Sequence, residues 1–252
     1  LTTMNCETVV QHLVTWLREK VGEAGARGVV IGVSGGVDSA VAAVLAQKAS
    51  PENCMALVLP CESSTEDLIH SRLLLDKFNI PYRVIELDNV YQLLITQLES
   101  YIKLDGSKRR LLRANLKPRL RMTTLYYSAQ ARGYLVLGTT NKSEITVGYS
   151  TKHGDSGVDL QILGDLLKRE VLELANYLHI PSVIINKTPS GGLWVGQTDE
   201  EEMGISYEQL DDYIQYKQGE TDVIERIQHL NQISQHKRQM PPIARIPEEI
   251  RK

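Results

Sequence analysis

Cysteine is scarce in this 252-residue chain: Cys6, Cys54 and Cys61 are all there are. Their spacing contains no C-x-x-C metal pattern and their odd number no closed disulfide set. A reducing, cytoplasmic setting is therefore expected, and no basic-then-apolar leader opens the sequence. Long hydrophobic runs are missing too, none approaching the ~18 residues a membrane span needs. Nor is there an excess of positive charge. Twenty-eight basic against thirty-one acidic residues leave a formal charge of −3, which disfavours a general nucleic-acid binder. Internal repeats, low-complexity tracts and Pro/Gly/Ser linkers are likewise absent, so residues 1–252 are read as a single domain. What remains is 42% hydrophobic and 23% charged, the balance of a globular protein.

Apolar periodicity supplies the architecture. Residues 9–21 repeat at helical spacing, and Val29-Val30-Ile31-Gly32-Val33 is a short β-branched run of the kind buried in parallel sheets. Helices are expected over 38–50, 65–78, 90–101, 115–131 and 164–178, and strands over 55–59, 82–87, 134–138 and 182–185. Ser63-x-x-Glu66 and Asn141-x-x-Glu144 have the form of capping boxes. Two polar-faced helices, near 207–218 and 222–235, close the chain. Strands alternating with helices give an α/β fold: a parallel sheet of about five strands with helices on both faces.

Charge is segregated. Residues 108–121 hold seven basic side chains (Lys108, Arg109, Arg110, Arg113, Lys117, Arg119, Arg121) and no acidic one. Residues 199–212 hold seven acidic ones (Asp199, Glu200, Glu201, Glu202, Glu208, Asp211, Asp212) and no basic one. Solvated helix faces, a polyanion site, or complementary surfaces in a dimer all satisfy this pattern.

The informative stretch is Gly32-Val33-Ser34-Gly35-Gly36-Val37-Asp38-Ser39, between the first strand and the next helix. Ligands of open α/β sheets collect at the carboxyl ends of strands, where this turn must sit. Two adjacent glycines let backbone N–H groups converge without a Cβ in the way. The following helix aims its unpaired N–H groups and positive dipole end at the same point. The result is a phosphate cradle. Asp38 would repel a phosphate there unless a hard cation lay between them, and Mg²⁺ favours carboxylate plus phosphate oxygens. Complementing the helix dipole is the other role open to Asp38. A Walker A loop is excluded because no lysine follows the second glycine. Gly32-x-Ser34-x-Gly36 also fits the nucleophile elbow of serine hydrolases, but that fold needs several strands ahead of the elbow.

Ser34-Gly35-Gly36-Val37-Asp38-Ser39 resembles the pyrophosphate loop of the N-type ATP pyrophosphatases. Later segments resemble, within that superfamily, the ammonia-dependent NAD synthetases. They are Asn115–Met122, Gly138–Glu144, Gly148–Asp155, Lys187–Ser190, Gln197–Glu200, Leu210–Tyr213 and His236–Arg238, in order and at the family's spacing. Ala114, Pro118 and Ile162 depart from the family pattern. The resemblance implies ATP contacts from Gly32, Val33, Ser34, Gly35, Gly36, Val37, Asp38, Ser39, Thr139, Lys168 and Ser190. It implies Mg²⁺ at Asp38 and Glu144, and deamido-NAD at Arg119, Lys152, Asp159, His236 and Lys237. Asp38 and Lys168 become the catalytic pair.

Each assignment has a plainer counterpart. A capping box alone accounts for Glu144, and Lys152 and Lys168 would ordinarily be solvated. His236 and Lys237 would serve as well to close a helix before Pro241.

The reaction so implied is two-step amidation. The nicotinate carboxylate of deamido-NAD attacks the α-phosphorus of ATP, and ammonia then attacks the acyl-adenylate to give NAD and AMP. Because water would hydrolyse the adenylate, the glycine-rich segment 190–196 is expected to act as a lid, ordered only with nucleotide bound. A plain surface loop is the alternative. The length leaves no room for a glutaminase domain, so free ammonia is the expected nitrogen donor. The resemblance further implies a homodimer with the dinucleotide site near its interface. A tRNA-modifying adenylating enzyme of the same superfamily and a non-catalytic ATP sensor are the competing functions.

Overall fold

The apolar runs become strands with small shifts of boundary. The computed structural model describes residues 4–102, 105–194 and 196–251. Strands β1 (Gly28–Gly32), β2 (Cys54–Val58), β3 (Tyr82–Val84), β4 (Tyr134–Gly138) and β5 (Leu160–Gln161) form one sheet in the order β3-β2-β1-β4-β5. Every pairing is parallel. Helices α1 (Cys6–Glu23), α2 (Val37–Ala49), α3 (Thr65–Lys77), α4 (Asp88–Glu99) and α5 (Gly106–Arg132) precede β4. After it come α6 (Lys142–Val147), α7 (Lys168–Tyr177), α8 (Ser182–Ile185), α9 (Asp199–Met203), α10 (Tyr207–Tyr216) and α11 (Thr221–Ile233).

Side chains of a strand alternate between faces, and β1 shows what that does here. Val29 and Ile31 join the core under α1, α2, α3 and α7. Val30 points the other way and packs with Leu57 and Val136 under α4 and α5. The alanines of α2 leave it thin enough to be buried almost throughout, between α1 and α7. A third apolar cluster joins α6, α9, α10 and α11 beside the sheet.

Several expectations are corrected. Residues 182–185 are the short helix α8 rather than a strand. A four-residue apolar run cannot be told from a helical turn by periodicity, and Pro181 at the N-cap starts the turn. The fifth strand is instead the two-residue β5, too short to leave a pattern. Ser64, not Ser63, caps α3 by accepting from Asp67 N at 3.1 Å. The third strand ends at Val84, the helix expected from 164 begins at Lys168, and α5 begins at Gly106. The capping box Asn141–Glu144 is present as expected.

Candidate active site

The strand order reverses between β1 and β4, so the loops leaving their carboxyl ends diverge and open a crevice there. A cleft of about 580 Å³ occupies it. The glycine turn forms one wall. Gly35 adopts φ +82°, and the hydroxyls are drawn inward: Ser34 N and Ser34 Oγ both lie 3.1 Å from Ser39 Oγ. Ser39 Oγ donates to the Gly36 carbonyl at 3.0 Å. Gly36 is the N-cap of α2 and brings no side chain to it, which leaves the amides of the first turn without a capping partner from that residue.

Asp38 projects from that first turn. Its Oδ2 is ion-paired with Lys168 Nζ, and its Oδ1 accepts from Asn141 Nδ2 at 2.8 Å. Asn141 is the link between the two proposed metal carboxylates. Its backbone N donates to Glu144 Oε2 at 3.0 Å and its Oδ1 caps Glu144 N at 3.0 Å. Burial, then the charge of Asp38, push the Glu144 carboxyl up to about 8, against the pull of Lys168. Lys168 is itself only 3% exposed. Burial works against its charge, but Asp38 and Glu144 outweigh that and hold its pKa above the usual lysine value. Below it, Lys168 N donates to Ser143 Oγ at 3.0 Å, and Ser143 donates to buried Asp211. Asp211 also accepts from Arg169 N at 2.9 Å, which fixes the start of α7.

Two further groups complete this floor, and neither was anticipated. Tyr207 shares its hydroxyl proton between Asp199 Oδ2 at 2.9 Å and Glu144 Oε1 at 3.3 Å. Burial and the neighbouring carboxylates keep that phenol protonated. Asp199 is 4% exposed, and among the described residues its Oδ1 meets no hydrogen-bond partner within bonding geometry. The acidic segment was visible in the sequence, but not that two of its members, Asp199 and Asp211, turn inward.

Thr139, Ser190 and Lys187 also line the cleft. Lys187 is ion-paired with Asp67 of α3, just where α3 meets the glycine turn. The proposed substrate residues divide. Lys237 lines the cleft and donates to the carbonyls of Gly148 and Ser150 at 2.7 and 2.6 Å. Lys152 Nζ lies 3.2 Å from His236 Nδ1, and Arg119 donates to the Lys152 carbonyl at 3.2 Å. Those two contacts join Lys152, His236 and Arg119, which lie outside the residues lining the cleft, whereas Lys237 is one of them. Asp159 stands apart, exposed at the sheet edge, accepting from Tyr126 OH at 2.9 Å and Val136 N at 2.8 Å.

Several members of the basic run are paired within the chain, although of the seven Lys117 alone is buried and Arg121 half-buried. Arg113 makes two 2.7 Å bonds to Glu99, and Lys117 pairs with Glu62 at 2.9 Å. Arg121, beside the cleft, donates to the Leu59 carbonyl at 3.0 Å and Ser63 Oγ at 3.2 Å. Of the expected lid, Val195 lies outside the described residues, while Ser190 to Trp194 line the cleft.

Among the described residues no three His, Cys, Asp or Glu side chains converge as a metal cage. Two carboxylates joined by Asn141, facing a phosphate cradle, nevertheless fit Mg²⁺, which takes few protein ligands and completes its shell with phosphate oxygens and water.

A family model described as NAD synthase matches residues 9–241. An NH(3)-dependent NAD(+) synthetase of Syntrophomonas wolfei is 64% identical over 98% of this chain and 100% of its own length. Among solved structures, NMN synthetase from Francisella tularensis matches with a TM-score of 0.91 at 37% identity, covering 97% of this chain and 100% of that one. The NH3-dependent NAD synthetase from Campylobacter jejuni matches with 0.79 at 29%, covering 96% and 100%.

Proposed function

The chain belongs to the NAD synthase family, and from that premise we propose how its cleft performs the ATP-dependent amidation of deamido-NAD by ammonia. An oxygen of the nicotinate carboxylate attacks the α-phosphorus and pyrophosphate leaves. Ammonia then attacks the acyl carbon of the adenylate, loses a proton, and AMP departs with the carboxylate oxygen. Such chemistry asks the protein mainly for positioning and charge stabilisation. The amides of the glycine turn and of the first turn of α2, with Ser34 and Ser39, face the leaving pyrophosphate. Lys168 offsets its charge, and Thr139 and Ser190 add hydroxyls. Asp38 and Glu144 would hold Mg²⁺, which when bound supplies further neutralisation of the phosphates. Arg119, Lys152, His236 and Lys237 take the anionic dinucleotide. The observation that carries this reading is the Asp38–Lys168–Glu144 cluster at the mouth of a glycine cradle.

Asp159 reaches a dinucleotide only from outside the cleft, as it would where the substrate lies across two subunits. Val90, Leu93, Leu111 and Leu112, apolar yet more than half exposed on α4 and α5, support a homodimer formed through that side. Residues 1–252 act as one synthetase unit using free ammonia, in the cytoplasm. Among the described residues no helix is long and apolar enough to cross a membrane.

Incubation with ATP, Mg²⁺, ammonium and deamido-NAD tests this: NAD and AMP should appear in equal amounts. The likeness to the Francisella NMN synthetase gives a second reading, amidation of the mononucleotide. A higher kcat/KM for nicotinate mononucleotide than for deamido-NAD would establish it. AMP released with tRNA instead would refute both.

Glu144 supplies a stability test. Its folded pKa lies above its unfolded value, so the penalty is absent below the ordinary carboxylate range and grows as pH rises toward 8. Glu144→Gln keeps an acceptor for Asn141 and carries no such penalty. Its melting temperature should gain on that of the unaltered protein between pH 6 and pH 8, while NAD formation is lost. Mg²⁺ should stabilise only the unaltered protein. Equal melting curves at pH 8 would contradict the assignment.

A further inference from the structure

Lys117 belongs to the basic run, yet it is 4% exposed and contributes little to any surface field. Its Nζ pairs with Glu62 Oε2 at 2.9 Å and stands 5.4 Å from the centre of the Tyr91 ring. It also donates to the carbonyl of Leu193 at 2.9 Å. Leu193 lies in the glycine-rich loop that forms one wall of the cleft. Two neighbouring contacts hold the same loop. Leu193 N donates to Gln197 Oε1 at 2.7 Å, and the Arg110 guanidinium lies 5.2 Å from the Trp194 ring centre.

A buried ammonium needs partners for its donors. Glu62 meets the charge, but a second donor goes to a loop whose glycines, Gly191 and Gly192, give it little stiffness of its own. The loop therefore takes its position from Lys117 and Arg110 of α5 together with Gln197. We propose that Lys117 is a positioning residue that holds the 190–194 loop over the cleft and so keeps water from the acyl-adenylate. The inference rests on the reaction given above. When water takes the place of ammonia, its oxygen attacks the adenylate and the acyl–phosphate link breaks. Deamido-NAD returns as its carboxylate, AMP leaves, and ATP is spent without NAD.

The ratio of AMP to NAD reads this directly, and a merely stabilising lysine would not move it. Lys117→Met keeps the apolar stem against Tyr91 and removes both polar contacts. At limiting ammonium it should release AMP in at least about twofold excess over NAD. Glu62→Gln removes the ion pair but spares the bond to Leu193, and should keep AMP and NAD equal. Lys117→Arg, which keeps a donor there, should move the ratio back toward equality. Equal AMP and NAD from folded Lys117→Met, or the same excess from Glu62→Gln, would overturn the proposal. If Lys117→Met does not fold, Trp194→Ala carries the test: excess AMP is expected, and equal amounts would overturn it. Failure of the unaltered protein to form NAD would instead refute the reaction, and is seen separately.

Discussion

Replacing Asp38 with alanine is expected to lower NAD formation by about 10²–10³-fold, the scale on which one preorganised electrostatic group acts. Both oxygens of that carboxylate are engaged, with Lys168 and with Asn141. It therefore orders the floor of the cleft as well as offering a ligand to Mg²⁺. Without it Lys168 loses its ion pair while staying buried beside Glu144, and the second largest cause of the raised Glu144 pKa disappears. Glu144 should then ionise at lower pH and become the main partner of Lys168, which limits the damage to folding. Activity should not return at high Mg²⁺, because the positioning of Lys168 is lost along with the ligand. Steady-state rates across a Mg²⁺ series check this. A variant restored by excess Mg²⁺ would mean that Asp38 does nothing beyond holding the ion.

Gly35→Ala should be nearly as severe, for a steric reason. At φ +82° an L-residue is strained. A Cβ there would also lie 2.5 Å from the Asp67 carbonyl oxygen and 3.0 Å from its Cα. Those are backbone atoms of α3 and cannot swing aside, so either the turn or the helix must move. A loss of about 1–3 kcal/mol of stability is expected, with ATP binding weakened by about 100-fold or more as the cradle opens. Gly36→Ala is the control for folding. Its φ is −92°, and its Cβ would meet only Ser34 Oγ at 3.4 Å, so its melting temperature should stay near the original. Denaturant curves and ATP titrations of the two variants distinguish strain at one position from a general intolerance of the turn.

The parts of this site that were legible in the sequence are those built from contiguous residues. The glycine turn and the Asn141–Glu144 cap are local motifs, and local spacing sets their geometry. The carboxyl-end position of Asp38 follows from strand–turn–helix order alone. What stayed hidden is contact between distant segments. The Asn141–Asp38 bond spans 103 residues and the Lys168–Asp38 pair 130, and no periodicity encodes them. The acidic run fits solvated helix faces or a dimer surface, whereas Asp211 anchors α7 and Asp199 faces Tyr207. Similarly, Lys117 belongs to a basic run that fits solvated faces, a polyanion site or a dimer surface, although it is buried against Tyr91 and the glycine loop. Asp159, assigned by resemblance to the substrate, meets Tyr126 and the β4 backbone outside the cleft. The misread helix α8 and the missed β5 are four and two residues long. Elements that short take their conformation from their neighbours.

The most direct test of the chemistry assigned to this cleft follows an oxygen atom. Deamido-NAD labelled with oxygen-18 in its nicotinate carboxylate is converted with ATP, Mg²⁺ and ammonium, and the products are weighed by mass spectrometry. Attack of the carboxylate on the α-phosphorus predicts that label passes into AMP and none into pyrophosphate. Label in pyrophosphate or inorganic phosphate, or NAD formed with unlabelled AMP, would contradict it.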